Sequence, residues 1–531
     1  MVDPTMPTLE NHAESSSDEE DDEVGAPAAE EQPSSPTENS KQKKKKKKNK
    51  KKKAKSADAD GGIGSETTAA TNSSSANAPS SNRQMSIEEL LRQLAVQEQP
   101  QKKTMEDYKF WKTQPVTKFD EKIDDEGPIE GDKTPDDIPN TPYPLLNEFE
   151  WDTMDLANPD VIKEIFDLLY GNYVEDSDST FRFNYSPRFL DWALRAPDFR
   201  PEWHVGVRVS GTKKLVAFIS GIPVRLRVRN TTITAAEINF LCIHKKLRSK
   251  RLAPLLIKEV TRRVNKQGIW QALYTAGVVL PKPVSTCRYY HRSLNWSKLN
   301  EVGFSPLPPG TTKAKMIAKY KLPINTSIPG LRLMRRDDIG QVYDLLVAYL
   351  NKFELAPVFG KEELLHWLMH DYGTESVSND EKDKDRVVWA YVVENADGLI
   401  TDLVSFYSLP STVIGNPTHD NLLAAYQFYY ASTAGLALPR THPECATLLK
   451  NRLLVLFNDA LVLAKNLGFD VFNALTLLDN PLFLDDIKFG AGDGYLNYYL
   501  FNYKAFPIDG GYREDGKLEV EKRSGVGVIM L

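Results

Sequence analysis

Cysteine is nearly missing from this chain: Cys242, Cys287 and Cys445 are the three present among 531 residues. They are too few and too scattered for a disulfide framework or a cysteine-based zinc site, and they suit a reducing, cytoplasmic setting. Long apolar runs are missing too. No stretch approaches the roughly 20 apolar residues that a membrane span needs. The opening MVDPTMPTLE lacks the basic and apolar regions of a secretory signal. Aromatic residues are absent from positions 1–84, where Ser, Asp, Glu, Ala and Pro dominate. No apolar period there could offset the entropy of ordering, so residues 1–84 read as a disordered tail.

Charge in that tail is unevenly spread, which the net charge of -6 conceals. Ser15 to Glu23 is acidic, with serines set beside acidic residues as acidophilic kinases prefer. Lys41 to Lys55 is almost pure lysine and cannot fold, because like charges repel and no apolar face exists. Three readings fit it: a solvated tail, salt-sensitive attachment to polyanions such as ribosomal RNA, or a nuclear address. Residues 85–104 follow as a short helix and linker. Ser86 and Glu89 form a capping-box pattern, and Ile87, Leu90, Leu91 and Leu94 share one face for docking on the folded part or on a partner.

From residue 105 the texture changes to dense aromatics and periodic apolar runs, and a weak internal duplication organises them. The helical stretch Ile165-Phe166-Asp167-Leu168-Leu169 is matched by Val342-Tyr343-Asp344-Leu345-Leu346. Helix starts are expected at Asn158 or Asp160, and at Asp337 or Asp338. Two strand-like runs follow each helix, Trp203–Val209 with Leu215–Pro223, and Val387–Val393 with Leu399–Tyr407, around glycine-bearing turns. Strand, helix, strand then repeats. Ala236–His244 leads to a helix over Ala253–Asn265 and a strand over Trp270–Val279; Ala425–Tyr430 leads to a helix over Ala446–Lys465 and a strand over Phe469–Leu475. Gly268 and Gly468 stand as the helix stops. The expected fold is mixed α/β, two matched halves at 105–320 and 321–531 forming one pseudo-symmetric unit.

The segment Ala236 to Arg263 carries the most chemistry. A buried strand opens through a basic turn into an amphipathic helix, with Leu252, Leu255, Leu256, Glu259 and Val260 at helical spacing. Lys245, Lys246, Arg248, Lys250 and Arg251 surround the helix N-terminus, whose unpaired N–H groups and partial positive charge suit phosphates. Arg248-x-x-Arg251-x-Ala253 resembles the (Gln/Arg)-x-x-Gly-x-(Gly/Ala) loop with which GNAT-type acyltransferases hold the CoA pyrophosphate, with Arg251 in place of the usual glycine.

Two longer segments make the resemblance specific. Glu237-Ile238-Asn239-Phe240-Leu241-Cys242-Ile243-His244-Lys245 resembles one signature of the protein N-myristoyltransferases, and Lys488-Phe489-Gly490-Ala491-Gly492-Asp493-Gly494 resembles the other. Further similar segments are Tyr108-Lys109-Phe110-Trp111, Thr113-Gln114-Pro115, Tyr173-Val174-Glu175-Asp176, Phe181-Arg182-Phe183-Asn184-Tyr185, Tyr274-Thr275-Ala276-Gly277 and Cys287-Arg288-Tyr289-Tyr290-His291-Arg292. The resemblance spans residues 100–531, and the lysine-rich tail is similar to family extensions associated with ribosomes. It implies a tandem duplicated GNAT-like fold with pseudo-two-fold symmetry. It also implies transfer of myristate from the co-substrate myristoyl-CoA to N-terminal glycines, with no permanently bound cofactor and a chain acting as a monomer.

Site residues follow from the same resemblance. The C-terminal carboxylate of Leu531 would be the base, and the backbone N–H groups of Phe240 and Leu241 the oxyanion hole, donors that do not titrate. Lys109, Phe110, Trp111, Lys112, Leu241, Cys242, Ile243, Arg248, Ser249, Lys250, Arg251, Leu252, Ala253 and Thr261 would hold myristoyl-CoA. The peptide would meet Tyr173, Phe181, Phe183, Tyr185, Asn239, Thr275, Gly277, Tyr289, His291, Ser405, Tyr426 and Asp493. Asp176 and Asp178 would pair with a lysine further along it.

Some tempting motifs are set aside. His366 and His370 lie four apart in HWLMH, but no Glu follows the first as a zinc protease requires, so no metal is expected. Apolar neighbours raise the Cys242 thiol and argue against a covalent intermediate. Gly490-x-Gly492-x-Gly494 lacks the lysine and serine of a nucleotide loop, and its glycines suit a close backbone approach.

The end of the chain is physically odd. Chains commonly end in mobile polar residues, yet Val526-Gly527-Val528-Ile529-Met530-Leu531 reads as a buried strand. Burying its carboxylate is costly without a partner, and an incoming peptide ammonium is such a partner. The α-carboxyl value near ~3.5 and the α-ammonium value near ~8 would be drawn together by desolvation, easing proton transfer. Before it, Pro507 to Gly525 is polar and glycine-rich and reads as a surface insertion. Two other functions remain open: a GNAT-type N-acetyltransferase, and a non-enzymatic ribosome or RNA adaptor resting on the lysine run.

Overall fold

Helix starts and stops are written locally in the chain. Asn158 accepts a hydrogen bond from Asp160 N at 3.0 Å and Pro159 takes the first turn, so α1 runs Pro159–Asn172. Its face of Ile162, Ile165, Leu168 and Leu169 is buried. The matched helix α4, Ile339–Leu350, buries Val342, Leu345, Leu346, Tyr349 and Leu350. Its Asp338 caps no helix N–H through its side chain; the carboxylate instead receives Arg332 and the Arg335 N–H. Gly268 and Gly468, at φ +75° and +92°, take the left-handed turn that ends each helix.

The computed structural model describes residues 104–131, 133–176, 179–370 and 386–531. The expected tail, its lysine run, the helix near 86–94 and Asp178 lie outside the described residues.

The first half contributes β1 (Phe149–Thr153), α1, α2 (Pro187–Leu194), β2 (Val205–Val209), β3 (Leu215–Val228), β4 (Thr231–Ile243), α3 (Leu252–Asn265), β5 (Gln271–Ala276) and β6 (Ser285–Ser293). The second contributes β7 (Leu331–Leu333), α4, α5 (Lys361–Met369), β8 (Val388–Glu394), β9 (Ile400–Ser408), β10 (Ala424–Ser432), α6 (Pro443–Asn466), β11 (Val471–Leu475) and β12 (Gly490–Phe501). α6 begins earlier than the apolar period implied, because Pro443 occupies its first turn.

Together with Leu355–Pro357, which pairs with β3, these strands make one 13-stranded sheet in the order β1-β2-β3-β4-β5-β12-β6-β11-β10-β9-β8-β7. The order is palindromic: β1 to β5 on one side mirror β7 to β11 on the other. Only the last strand of each half is exchanged, β6 pairing with β11 and β12 with β5. The exchange joins the two halves through backbone hydrogen bonds, and one apolar core runs through both.

Two pairs in this sheet are parallel, β4 with β5 and β10 with β11. Both ladders are short. Ala235–Ile238 meets Gln271–Tyr274, and Ala424–Tyr426 meets Val471–Asn473. Past Ile238 and Tyr426 the paired strands part, leaving a wedge in each half.

The stretch Pro507 to Gly525 corrects the expectation of a surface insertion. Ile508, Leu518, Arg523 and Ser524 are buried, and a Cβ on Gly510 would lie 1.6 Å from Thr286 O, so the segment packs directly on β6. Its polar composition reflects buried hydrogen bonding: Gly516 O accepts from Arg288 at 2.8 Å and Arg523 pairs with Asp479 at 2.9 Å.

Candidate active site

Where β3 and β4 run past the wedge, the ladder slips. Phe218 pairs with Cys242 and Ser220 with Asn239, so Ile219 alone faces both Phe240 and Leu241. This is a β-bulge, and Phe240 sits in it at φ +56°, a left-handed conformation rare for a bulky side chain. Packing holds it there: the ring is buried, with the Tyr185 ring centroid at 5.2 Å and that of Tyr173 at 6.0 Å. A bulge turns backbone N–H groups away from the neighbouring strand, which a search for an oxyanion site would ask for. Burial raises the Tyr173 hydroxyl's pKa, opposed by the Phe240 N–H beside it.

Leu241 lines an apolar pocket that encloses about 720 Å³ of empty space, open solvent at its mouth included. Its walls are Ile219 and Ile238 from the sheet, Ile257, Val260 and Thr261 from α3, and Trp111. Trp111 stacks on Tyr274 at 5.5 Å, and Tyr274 on Tyr499 at 5.0 Å, so the aromatic pair Phe110-Trp111 is both core and cavity wall. Lys109 is exposed beside it, and Lys112 pairs with Glu106. Asn239 and Thr275 put polar atoms on the same cavity.

The basic turn runs as a 3-10 helix over Lys245–Lys250 into α3 at Leu252. Arg251 takes φ +55°, the conformation for which glycine is the ordinary choice. Lys245 is tied to Glu175 at 2.6 Å and Arg248 to Asn172 O at 2.5 Å, which anchors the turn to the end of α1. Ser249, Lys250 and Arg251 are exposed around the α3 N-terminus, while Leu252 is buried and Ala253 partly so. Ile243 and Cys242 are buried; the Cys242 thiol lies 4.0 Å from Leu168 O, and burial pushes it up to about 12. A buried thiol raised in this way disfavours the thiolate that a nucleophile needs.

A second, half-open pocket, with about 400 Å³ of empty space including open solvent, is built on the counterpart strands β10 and β11. Asp176, Phe181, Phe183 and Tyr426, all singled out in the sequence, line it, together with Phe304 and Asn473, which were not. Asp176 Oδ1 accepts the N–H groups of Thr180 and Phe181, each at 2.7 Å, so this carboxylate shapes its own loop. His291 Nδ1 lies 2.8 Å from Asn473 Oδ1. A Cβ on Gly492 would stand 2.4 Å from His291 Nε2, so the close approach that this glycine permits is that of the His291 ring. Tyr289 is buried on β6, and Gly277 O receives Asn497 Nδ2 at 3.2 Å. Asp493 is exposed on the irregular part of β12, and no hydrogen bond or ion pair among the described residues joins it to Leu531.

Ser405 belongs to a second bulge. Ser405 alone faces Phe428 and Tyr429, as Ile219 faces Phe240 and Leu241. Its hydroxyl donates to Tyr429 O at 2.6 Å, while Ser220 donates to Asn239 O at 2.9 Å in the first half. His366 is partly buried on α5 with Nε2 2.6 Å from Trp192 O, and burial lowers it to about 4, in keeping with a packed histidine.

The C-terminal segment is buried from Val526 to Met530, with Leu531 partly so. It is an extended segment rather than the regular strand expected: a single bridge joins Val526 to Leu355. Separate anchors hold the rest. Gly527 N donates to Leu355 O at 2.6 Å, Leu478 N to Val526 O at 2.8 Å, Tyr498 Oη to Val528 O at 3.3 Å and Ile529 N to Tyr429 Oη at 3.1 Å. Upstream, Arg523 and Arg440 share the buried Asp479 carboxylate, each at 2.9 Å. The chain end is thus fastened to both the Asp479 cluster and the second bulge.

Two sequence models of one family match the chain. The myristoyl-CoA:protein N-myristoyltransferase N-terminal domain covers residues 128–287, and the C-terminal domain of the same family covers 301–529. The chain belongs to the myristoyl-CoA:protein N-myristoyltransferase family.

It is therefore an acyltransferase by family. The glycylpeptide N-tetradecanoyltransferase of Kluyveromyces lactis is 55% identical over 452 residues, covering 84% of this chain and 98% of that protein. That of Saccharomyces cerevisiae is 54% identical over 434 residues, covering 82% and 94%. A crystal structure of the Saccharomyces cerevisiae N-myristoyltransferase with bound myristoyl-CoA superposes with a TM-score of 0.77 at 54% identity, covering 80% of this chain and 99% of that one. Among the described residues of this chain, no helix is long and apolar enough to cross a membrane.

Three residues of weight in this geometry had no assigned role from the sequence: Phe304, Asn473 and Glu237. Asn473 and Glu237 share one signal, a polar side chain interrupting an apolar strand. Glu237 is buried on β4 three residues before the bulge begins at Phe240. Burial pushes its carboxyl up to about 7, opposed by the Asn239 amide donating to it at 2.8 Å.

Proposed function

We propose that the chain transfers the tetradecanoyl group of myristoyl-CoA to the N-terminal glycine amine of proteins. The amine nitrogen adds to the thioester carbonyl, whose oxygen takes the electron pair and is received by the N–H groups of Phe240 and Leu241. The intermediate collapses, the carbon–sulfur bond breaks, and CoA leaves as a thiolate. The ammonium gives one proton to the Leu531 carboxylate before its nitrogen attacks; the second, lost from that nitrogen as the intermediate collapses, goes to the sulfur, and the proton on Leu531 is released to solvent. No acyl-enzyme forms.

One observation carries this reading: a bulged backbone at Phe240–Leu241 borders a deep apolar cavity, with the buried chain end fastened to the matching bulge. An acetyl group would need no such cavity, which favours a long acyl chain over the GNAT-type acetyltransferase alternative. In this reading, residues 105–320 form a GNAT-like half that binds myristoyl-CoA through the Lys109–Lys112, Leu241–Ile243 and Arg248–Ala253 positions with Thr261. Residues 321–531 form the matching half, which contributes the chain end and, to the peptide site, Ser405, Tyr426 and Asp493. The peptide positions are those named from the resemblance. The chain acts as a cytoplasmic monomer, and Lys41–Lys55 contacts ribosomal polyanions.

Incubation with myristoyl-CoA or acetyl-CoA and a glycine-initiated peptide tests this. Myristoyl transfer that persists in a chain beginning near residue 100 is expected. Acetyl transfer alone would contradict the acyl assignment, and loss of all transfer on removing the tail would favour an adaptor.

A further inference from the structure

We infer that Glu237 is a positioning residue of the transfer step: its carboxylate orients the Asn239 side-chain amide so that Oδ1 faces the cavity as an acceptor for the peptide ammonium. This rests on the proposed function above.

The argument begins with what a carboxylate can do. An ionised carboxyl only accepts hydrogen bonds, whereas an amide offers a donor nitrogen and an acceptor oxygen of nearly the same shape. Glu237 Oε1 accepts from Asn239 Nδ2 at 2.8 Å, and this fixes which end of the amide faces away. The end left over, Oδ1, is buried and has no hydrogen-bond partner among the described residues, on a residue that borders the cavity. A buried acceptor without a partner is costly, and a cationic donor entering the cavity removes that cost. Leu241, in the bulge that begins one residue after Asn239, borders the same cavity, so an amine held at Asn239 stands beside the site proposed for the thioester carbonyl.

The surroundings of Glu237 fit a group poised for an incoming charge. It faces Ile222 on β3 and Leu273 on β5, and Tyr429 from β10 is the titratable neighbour whose own pKa it raises after burial has done so. No Lys, Arg or His among the described residues pairs with it. Tyr429 also receives the Ile529 N–H at 3.1 Å, so the tyrosine that feels the Glu237 charge also holds the chain end. A buried acid lacking a cation sits near its protonation midpoint at neutral pH. When protonated it becomes a donor, takes Asn239 Oδ1 for itself, and turns the NH2 group toward the ammonium. An arriving ammonium favours the ionised acid and the productive orientation.

The test uses the full chain carrying E237Q, N239D or both, with single-turnover transfer from myristoyl-CoA to a glycine-initiated peptide. The amide introduced by E237Q can present either of its ends to Asn239, so this variant is expected to slow transfer at least 10-fold with a raised peptide KM. Myristoyl-CoA affinity should be unchanged, and the rise in rate near pH 7 expected of the parent should be lost. N239D alone sets two carboxylates against each other and is expected to slow transfer too. In the double variant the new amide at position 237 donates to one oxygen of the new carboxylate at position 239 and leaves the other facing the cavity. Its rate is expected to recover well above either single variant. Parental rate and pH profile in E237Q, or a double variant no faster than the singles while still binding myristoyl-CoA, would overturn the role of Glu237. A parent chain that binds myristoyl-CoA but acylates no glycine-initiated peptide would instead overturn the proposed function.

Discussion

The backbone N–H of Ile529 donates to the hydroxyl of Tyr429 at 3.1 Å, two residues before the end of the chain. Tyr429 lies in the bulge that mirrors Phe240–Leu241, so the same local distortion serves opposite purposes in the two halves. In the proposed reaction one offers backbone donors to the thioester oxygen; the other anchors the segment that carries the terminal carboxylate.

Removing that anchor is the mildest way to loosen the chain end. Tyr429→Phe leaves a buried N–H without its acceptor, which costs about 1–3 kcal/mol. Transfer should slow by about 10- to 100-fold, since small misplacements of a reacting group weigh that much. Equilibrium binding of myristoyl-CoA, measured on the same sample, should be unaffected.

Gly527 leaves no room for a side chain. A Cβ there would stand 2.9 Å from Phe353 Cβ and 3.3 Å from Ala356 Cβ. Gly527→Ala should therefore cost about 1–3 kcal/mol by overpacking and displace the residues beyond it. Urea unfolding together with single-turnover rates should show a modest loss of stability and a far larger loss of transfer.

Asp479 joins two arginines near the chain end. Burial alone would raise its pKa, yet Arg440 and Arg523 hold it below the ordinary carboxylate value. A group lowered in this way contributes stability above its unfolded value, and that contribution is lost as pH falls through its folded one. Asp479→Asn leaves buried guanidinium charge unpaired and should cost about 3–5 kcal/mol at pH 7. The difference between parent and variant should shrink in melts taken at pH values below the ordinary carboxylate range.

Glu237 has the opposite sign. Its folded pKa is raised to about 7, so its contribution is fully present below the unfolded carboxyl value and is lost as pH rises through 7. Glu237→Gln should match the parent in thermal melts near pH 4 and exceed it by about 2 °C or more at pH 8. A more stable but slower enzyme is the pattern of a residue held for function. Lower stability of the variant at pH 8 would mark it as structural.

What could be read from the sequence was local. The Asn158 cap, the Gly268 and Gly468 stops, the matched helices at Leu168 and Leu345 and the basic turn before Leu252 are each set by neighbours within a few residues. The exchange of β6 and β12 was not legible, because Tyr290 pairs with Ala474 and Ala491 from the other half, and period-2 patterning names no partner. The same limit hid Phe304 and Asn473, whose place at the second cavity depends on the sheet closing around them. The bulges were equally silent. Nothing in Asn239-Phe240-Leu241 marks a left-handed residue, since the tertiary packing of Tyr173 and Tyr185 imposes it. The ending Val528-Ile529-Met530 announced burial correctly, but its irregular anchoring follows from glycines at 525 and 527 meeting Glu354 and Phe353.

The central claim is that the carboxylate of Leu531 removes the proton from the attacking amine. The most direct measurement is single-turnover transfer by a chain extended by a few residues beyond Leu531, with myristoyl-CoA affinity measured alongside. Moving the carboxylate should slow transfer by about 100-fold or more, the usual weight of a general base, with affinity unchanged. Undiminished transfer in the extended chain would contradict the account.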